Sequence, residues 1–502
     1  MRIPLDRQSA LPLYQQIERY LREQILCGQL APETRLPASR QLAQELGVSR
    51  ITVNNAYAQL ESEGLLYSRE GSGVYVLPRT PAPPVTDPAG AIWPLWQQAV
   101  KRGDPPYESR ATPPRRVVKH PKPIAFTGVG DPREFPIKEF ARAIQDVMRR
   151  DGAAALAYGG LDQGYTPLRT TLTHVLGSQG IQAHPDNILI TSGSQQALAL
   201  VCQVLLKPGD VVLVESPTYN LALDLFRALD LQIVGVPVDE QGMCVERLEP
   251  LLQQHHPNLI YTIPNFQNPT GSCLSGGRRR QLVALAGRYN IPILEDDFVG
   301  DLRYEGRVQP AIKTLDPGGS VIYIGTFSKM LMPGLRVGFL LAEGPVFKRL
   351  VDMKRVSDLT TPGLMQRALE AYVNVGRYQA HVRRSCRLYR QRRDVMLAAI
   401  QRHLPSEALV IPPHGGLFLW LRLPEGLSSL ELLPLAAEAG VEYAPGARFF
   451  PDPAEGEPYL RLNFATQTPE EIEEGIRRLA SALRRLNSTM VNSLLPLSPG
   501  IS

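Results

Sequence analysis

Three segments of the sequence place chemically useful groups at the ends of apolar, β-branched runs. After Asn187–Thr191 comes Ser192-Gly193-Ser194-Gln195, opening a helical pattern whose free amides and dipole suit a phosphate. After Ile291–Leu294 comes Glu295-Asp296-Asp297-Phe298, an acidic cluster that reads equally as a metal site or a solvated turn. After Val321–Ile324 comes Gly325-Thr326-Phe327-Ser328-Lys329, followed by Arg336. Each segment alone is common, because Gly and Ser fill many strand-to-helix turns and a lone lysine is usually a surface residue. Together they answer one chemical need, that of pyridoxal 5'-phosphate (PLP). A lysine amine forms a Schiff base, a carboxylate keeps the pyridine nitrogen protonated, and a helix N-terminus with hydroxyls and an arginine neutralises the phosphate.

Those segments must sit on elements that hold them together. Strand-like runs alternate with amphipathic helical ones beyond about Lys122: Asn187–Thr191, Asp210–Glu215, Asn258–Ile263, Ile291–Glu295, Val321–Ile324 and Arg336–Leu341. This alternation predicts an α/β domain with a largely parallel sheet, whose sites lie at the carboxyl ends of strands. Near the end, Thr468-Pro469-Glu470-Glu471 is a capping box, and Ile472, Ile476, Leu479 and Leu483 form one apolar face.

The N-terminal part reads differently. Leu13, Ile17, Leu21 and Ile25 recur at helical spacing up to Cys27-Gly28; a second helix fits Ser39 to Leu46 before Gly47; a third runs from the N-cap Ser49 to Glu63 before Gly64. Two short extended runs follow, Leu65–Ser68 and Gly73–Val76. Three helices and a two-stranded wing make a winged helix-turn-helix, whose third helix enters the DNA major groove by its N-terminal end. Ser49, Arg50, Thr52 and Asn54 stand there to read bases or hold phosphates, and Arg35, Arg40 and Arg69 are placed as backbone contacts. A helical protein-interaction module is the competing reading.

With 502 residues, 43% hydrophobic and 21% charged, the chain exceeds one domain and is neither disordered as a whole nor a small disulfide scaffold. A mean hydropathy of −0.14 and the lack of a long uncharged apolar run exclude an integral membrane protein. No apolar leader is present, and the five scattered cysteines (27, 202, 244, 273 and 386) form no CxxC pair, so a cytoplasmic protein with free thiols and no metal site is expected. The formal charge of +5 lies wholly in residues 79–123, with 8 basic residues against 3 acidic ones, where proline also concentrates. That segment is expected to be a linker of roughly 35–40 Å span, its charge serving solubility or a salt-sensitive DNA contact. The expected divisions are 1–78, 79–123, 124–486 and a flexible tail, 487–502.

Two resemblances sharpen this reading. PETRLPASRQLAQELGVSRITVNNAYAQLESEGLLYSREGSGVYV is similar to the DNA-binding domain of GntR-family bacterial regulators, which implies DNA contacts for Arg40, Arg50, Thr52 and Asn54. Residues 124–486 resemble fold-type-I aminotransferases through TSGSQQAL, ESPTY, PNFQNPTG, LEDDF, TFSKMLMPGLRVGF and LRLNFA. That resemblance implies Lys329 as the Schiff-base lysine, Asp296 on the pyridine nitrogen, Asn268 on the ring's phenolic oxygen and Tyr219 stacked on the ring. Ser194, Gln195, Thr326, Ser328 and Arg336 would surround the phosphate, Arg461 would grip a substrate carboxylate, and Tyr158 would reach a neighbouring subunit's cofactor. One departure stands out: the family's tyrosine just beyond the aspartate is replaced by Phe298 and Val299, which puts efficient turnover in doubt. The combination resembles MocR/GabR-type transcriptional regulators. It implies a homodimer that binds paired or repeated half-sites on double-stranded DNA and senses an amino compound or PLP. A working aminotransferase with an appended head and a plain repressor with a dimerising domain are the alternatives.

Overall fold

The computed structural model describes residues 3–77 and 120–494, apart from residues 8, 10, 27, 28, 70, 71, 159–161 and 317. Most of the expected linker and residues 495–502 thus lie outside the described residues. The chain divides into two compact units, Met1–Gly103 and Asp104–Ser502.

In the first unit, α1 (Leu13–Leu26), α2 (Ser39–Leu46) and α3 (Arg50–Ser62) pack around Ile17, Leu21, Leu42, Val53, Ala56 and Leu60, all fully buried. Gly47 ends α2 in the left-handed region at φ 63°, a conformation that costs glycine nothing. Strands β1 (Leu66–Arg69) and β2 (Gly73–Val76) pair antiparallel, Leu66 opposite Val76 and Arg69 opposite Gly73. β1 begins one residue later than the sequence suggests, because the Leu65 amide still bonds back to the Leu60 carbonyl of α3, while Arg69 still pairs with Gly73.

The second unit opens with β3 (Ile124–Ala125), a short strand paired in parallel with Val441–Glu442. Its main element is an eight-stranded sheet. The strands are β4 (Ile188–Thr191), β5 (Val211–Ser216), β6 (Gln232–Asp239), β7 (Gly242–Met243), β8 (Leu259–Thr262), β9 (Ile293–Asp297), β10 (Val321–Thr326) and β11 (Gly338–Leu341), in the order β4-β11-β10-β9-β8-β5-β6-β7. The pairings from β10 to β6 are parallel, whereas β11 runs antiparallel to both β10 and β4. Strands β4, β8, β10 and β11 are buried along their length, as a sheet covered on both faces requires. A second, antiparallel sheet joins Leu409–Val410, Phe418–Arg422, Tyr459–Asn463 and Ala444–Pro445 in that order. Periodicity does not single out this sheet, since its strands are only two to five residues long.

The capping box forms: Thr468 N donates to Glu471 Oε2 at 2.7 Å and Glu471 N to Thr468 Oγ1 at 3.2 Å. The helix it starts, Pro469–Leu494, buries Ile472, Ile476, Leu479 and Leu483 and continues into the segment expected as a tail. Among the described residues no helix is long and apolar enough to cross a membrane. Cys202, Cys244, Cys273 and Cys386 are free.

Candidate functional site

Parallel strands deliver their carboxyl ends to one edge of the sheet, and three of the strand ends singled out in the sequence meet here. Beyond β4, Ser192-Gly193 turn into the helix Ser194–Leu205. Gly193 has φ 108°, and a Cβ there would lie 2.8 Å from the Arg336 guanidinium, so only glycine lets that arginine close on the turn. Arg336 donates from Nη2 to the Ser192 carbonyl at 2.6 Å. Gln195 Nε2 donates to Leu221 O at 3.2 Å, while Gln195 Oε1 is buried without a partner.

The acidic cluster on β9 divides by pleat. Glu295 accepts from the amides of Ile312 and Lys313, both at 2.8 Å, and Asp297 accepts from the Tyr323 hydroxyl at 2.8 Å. Both carboxylates therefore serve the scaffold. Asp296, between them, faces a cavity of about 220 Å³. Its Oδ2 accepts from the Tyr261 hydroxyl at 2.9 Å, and its Oδ1 is buried with no partner. Burial pushes its carboxyl up to about 7, against the Tyr261 hydrogen bond. The cluster is thus neither a solvated turn nor a metal nest. The metal-spaced trio among the described residues is Asp239, Cys244 and Glu246, where Arg278 already bonds both carboxylates.

Lys329 follows β10 and lines the same cavity. Burial, aided by Arg461, pushes its amine down to about 8 despite the opposing pull of Asp296. Ser194, Tyr219, Asn268 and Arg461 complete the expected residues in the lining, with Phe298 and Phe418 as apolar walls. Arg461 lies on the rings of Phe418 and Phe449, 4.0 and 4.9 Å from their centroids, and donates from Nη1 to Asn268 Oδ1 at 2.7 Å. Desolvation pushes its guanidinium down to about 9, a burial that a ligand carboxylate would offset. Thr326 Oγ1 accepts from Ser328 N at 3.2 Å, and the buried Ser328 hydroxyl has no partner. Phe298 stacks on Phe418 with centroids 6.4 Å apart, so an aromatic ring stands where the family carries a hydroxyl; among the lining residues Tyr219 is the only tyrosine. Tyr158 is not in the lining and is 76% exposed on its own chain.

These groups fit PLP. Asp296 Oδ1 is an unused acceptor for a pyridinium N–H, and Ser328 Oγ is an unused donor for phosphate. Arg461 and Asn268 share the cavity lining with Lys329. Sequence reasoning missed Tyr261 and Phe418. Both sit inside apolar strand runs, where an aromatic residue reads as core.

In the head, Ser49 caps α3: its Oγ accepts from Thr52 N at 3.1 Å and lies 2.8 Å from Thr52 Oγ1. Arg50 and Asn54 are exposed on that helix, as are Arg35, Arg40 and Arg69 elsewhere in the head, and Thr52 is half-buried. Ile51, 70% exposed on the same turn as Arg50, is silent in the sequence because a single apolar residue carries no chemical signal.

Family comparisons agree with this division. Residues 13–76 match the GntR family of bacterial regulatory proteins, and residues 127–479 match aminotransferase class I and II. The chain is 33% identical to a probable rhizopine catabolism regulatory protein, MocR, of Rhizobium meliloti, covering 97% of this chain and 96% of that one. It is 38% identical to an aromatic-amino-acid aminotransferase of Thermococcus litoralis, over 71% of this chain and 87% of the relative. Among solved structures it is similar to LysN, an alpha-aminoadipate aminotransferase of Thermus thermophilus crystallised with N-(5'-phosphopyridoxyl)-L-leucine, with a TM-score of 0.68, 38% identity, and coverage of 73% of this chain and 93% of that one.

Proposed function

Because the chain belongs to the MocR-type transcriptional regulators, in which a GntR-family head precedes an aminotransferase class I and II domain, we propose that it senses an amino compound, or PLP itself, in the Lys329 cavity and reports it through DNA binding by the head. One observation carries the reading: Lys329, Asp296 with its free Oδ1, and Arg461 line a single cavity. When bound, PLP supplies an aldehyde whose covalent partner can change from the Lys329 amine to the amine of an incoming compound.

The protein's residues supply the rest. Asp296, oriented by Tyr261, would hold the pyridine nitrogen's proton, and Tyr219 would cover the ring. Asn268 would donate from its amide nitrogen to the phenolic oxygen while its carbonyl oxygen keeps Arg461 in place. Ser194, in the lining, with Gln195, Thr326, Ser328 and Arg336 beside it in the chain and the fold, would hold the phosphate. Arg461 presents its planar fork to a carboxylate. Whenever its amine is free, Lys329 would hold or move a proton in the cavity. The walls of Phe298 and Phe418 exclude water.

Regulation requires that the ligand bind two conformations of the protein unequally; equal binding shifts nothing. In the head, Arg50, Asn54, Thr52 and Ser49 contact bases and phosphate, Ile51 offers its methyls to a thymine, and Arg35, Arg40 and Arg69 hold the backbone. Aminotransferase-type folds are commonly dimeric. A homodimer would place two heads on paired or repeated half-sites and bring the exposed Tyr158 to a neighbour's cofactor. A cytoplasmic location fits this role. The functional parts are then the head, 1–78, and the larger domain from 124 through the helix that ends at Leu494, with 79–123 as the linker joining them.

Visible absorption of PLP-treated protein, with Lys329→Ala as control, tests cofactor attachment. A screen of amino acids then scores DNA affinity at fixed salt together with released keto acid. Changed DNA affinity without keto acid supports sensing; steady keto acid without a DNA effect overturns it. That second outcome is favoured by the complete set of Lys329, Asp296, Asn268 and Arg461, and opposed by Phe298.

A further inference from the structure

Ser192, the first residue of the phosphate turn, has every polar group engaged. Its carbonyl accepts from Arg336 Nη2 at 2.6 Å, its amide donates to Gln196 Oε1 at 2.7 Å, and its hydroxyl donates to Asp358 Oδ2 at 3.3 Å. Gln196 Nε2 donates to the same Asp358 oxygen at 2.7 Å. Asp358 is the last residue of the helix Pro345–Asp358, and its Oδ1 accepts from Lys354 Nζ at 2.7 Å. Lys354 is only 1% exposed. One carboxylate thus braces the turn directly through Ser192 and indirectly through Gln196, and a buried ammonium stands behind it.

A carboxylate bonded to a turn that receives a phosphate dianion poses an electrostatic problem, because like charges at close range oppose each other. Removing the carboxylate would lose the brace. Cancelling its charge from the far side keeps the acceptor oxygens and removes the repulsion. Burying an ammonium costs solvation that a helix-end lysine in water would not lose, so an ordinary surface cap accounts poorly for Lys354. Its burial is accounted for if the compensating charge must sit beside Asp358 and away from water.

We propose that Lys354 and Asp358 are positioning residues for the phosphate turn: Asp358 fixes Ser192 and Gln196 so that the Gly193–Gln195 amides and the Ser194 hydroxyl meet a phosphate, and Lys354 cancels the Asp358 charge beneath that phosphate. The proposal rests on the reading that PLP occupies the Lys329 cavity. Neither residue lines the Lys329 cavity. Their effect is specific to the phosphate group and not to the aldehyde or ring.

The test compares PLP with pyridoxal, which carries the same aldehyde and ring without the phosphate. Full-length wild type, Lys354→Met and Asp358→Ala are each titrated with both compounds by visible absorbance, and their apo forms are melted. We expect PLP affinity to fall on the order of tenfold in Asp358→Ala, by analogy with the loss of outer-shell ligands elsewhere, and further in Lys354→Met, which leaves the carboxylate uncancelled. Pyridoxal affinity should stay within about twofold in both. Lys354→Gln serves if Lys354→Met does not fold, since its amide can still donate to Asp358 Oδ1 but carries no charge to cancel the carboxylate. Unchanged PLP affinity, or equal losses for PLP and pyridoxal, would overturn the proposal and leave the pair as packing. A wild type that takes up neither compound would instead remove the underlying reading.

Discussion

In the head, the candidate contacts Arg35, Arg40, Arg50, Asn54 and Arg69 stand exposed on a small core; in the larger unit, Asp296, Asn268 and Ser328 are buried and Lys329 is half-buried. The two regions handle polar groups in opposite ways because their partners differ. DNA brings its own charge and hydration to a surface, so side chains that read it must remain solvated and reach outward. The cavity groups are withdrawn from water instead, and burial is the largest influence on their protonation. Asp296 moves up to about 7 and Lys329 down to about 8 for that reason. In the larger unit the unpaired Asp296 Oδ1, which faces the cavity, therefore marks a ligand position, whereas exposed arginines in the head do not by themselves.

The strongest break of this comparison is Lys329→Ala. We expect complete loss of the visible band given by PLP-treated protein, with head-to-DNA affinity in the absence of ligand kept within about threefold. If DNA affinity collapsed as well, the two regions would not be separable. Acidity gives the next effect. The lysine amine captures an aldehyde only when unprotonated, and its folded value lies below the ordinary 10.5 because of burial first and Arg461 second. The capture rate of PLP by the apo protein should therefore rise about tenfold per unit up to about pH 8 and level above it. Stopped-flow absorbance from mildly acidic to strongly alkaline pH checks this; a rise that continues to the ordinary lysine value would mean that the cavity does not desolvate the amine.

How much of this was legible in the sequence follows the same division. The helices of the head were readable because caps and stops are local: Ser49, Gly47 and Gly64 act on their own turns. The strand ends were readable because β-branched runs terminate in the residues that do chemistry. What stayed hidden were long-range partners. Tyr261 lies far before Asp296 in the chain and bonds it only because β8 and β9 are neighbours in the sheet. Lys354 reads as one more helical lysine until folding brings Asp358 to Ser192. The antiparallel sheet around Phe418 and Arg461 was missed as an element, although Arg461 itself was placed through resemblance.

On the head, substitutions should have smaller effects that sort by kind of contact. Arg50→Ala or Asn54→Ala should cost about 1–3 kcal/mol of discrimination between operator and unrelated DNA. Arg35→Ala or Arg69→Ala should weaken binding to all sequences alike and reduce the salt dependence by about one ion. Fluorescence anisotropy across a salt series separates the two patterns.

The smallest effect comes from a residue that belongs to both descriptions at once. Ser49 is exposed, as a DNA contact must be, yet its Oγ also accepts from Thr52 N at 3.1 Å and satisfies an amide at the start of α3. Ser49→Ala removes both roles and should cost the head about 1 kcal/mol of stability. Ser49→Asp separates them. Aspartate caps a helix as well as serine does and favours its dipole, so thermal stability should hold or rise slightly. A carboxylate facing DNA phosphates repels them, so affinity should fall, most at low salt where screening is weak. If Ser49→Asp instead binds DNA as tightly as wild type at every salt concentration, Ser49 is a cap alone, and the reading face of α3 begins at Arg50.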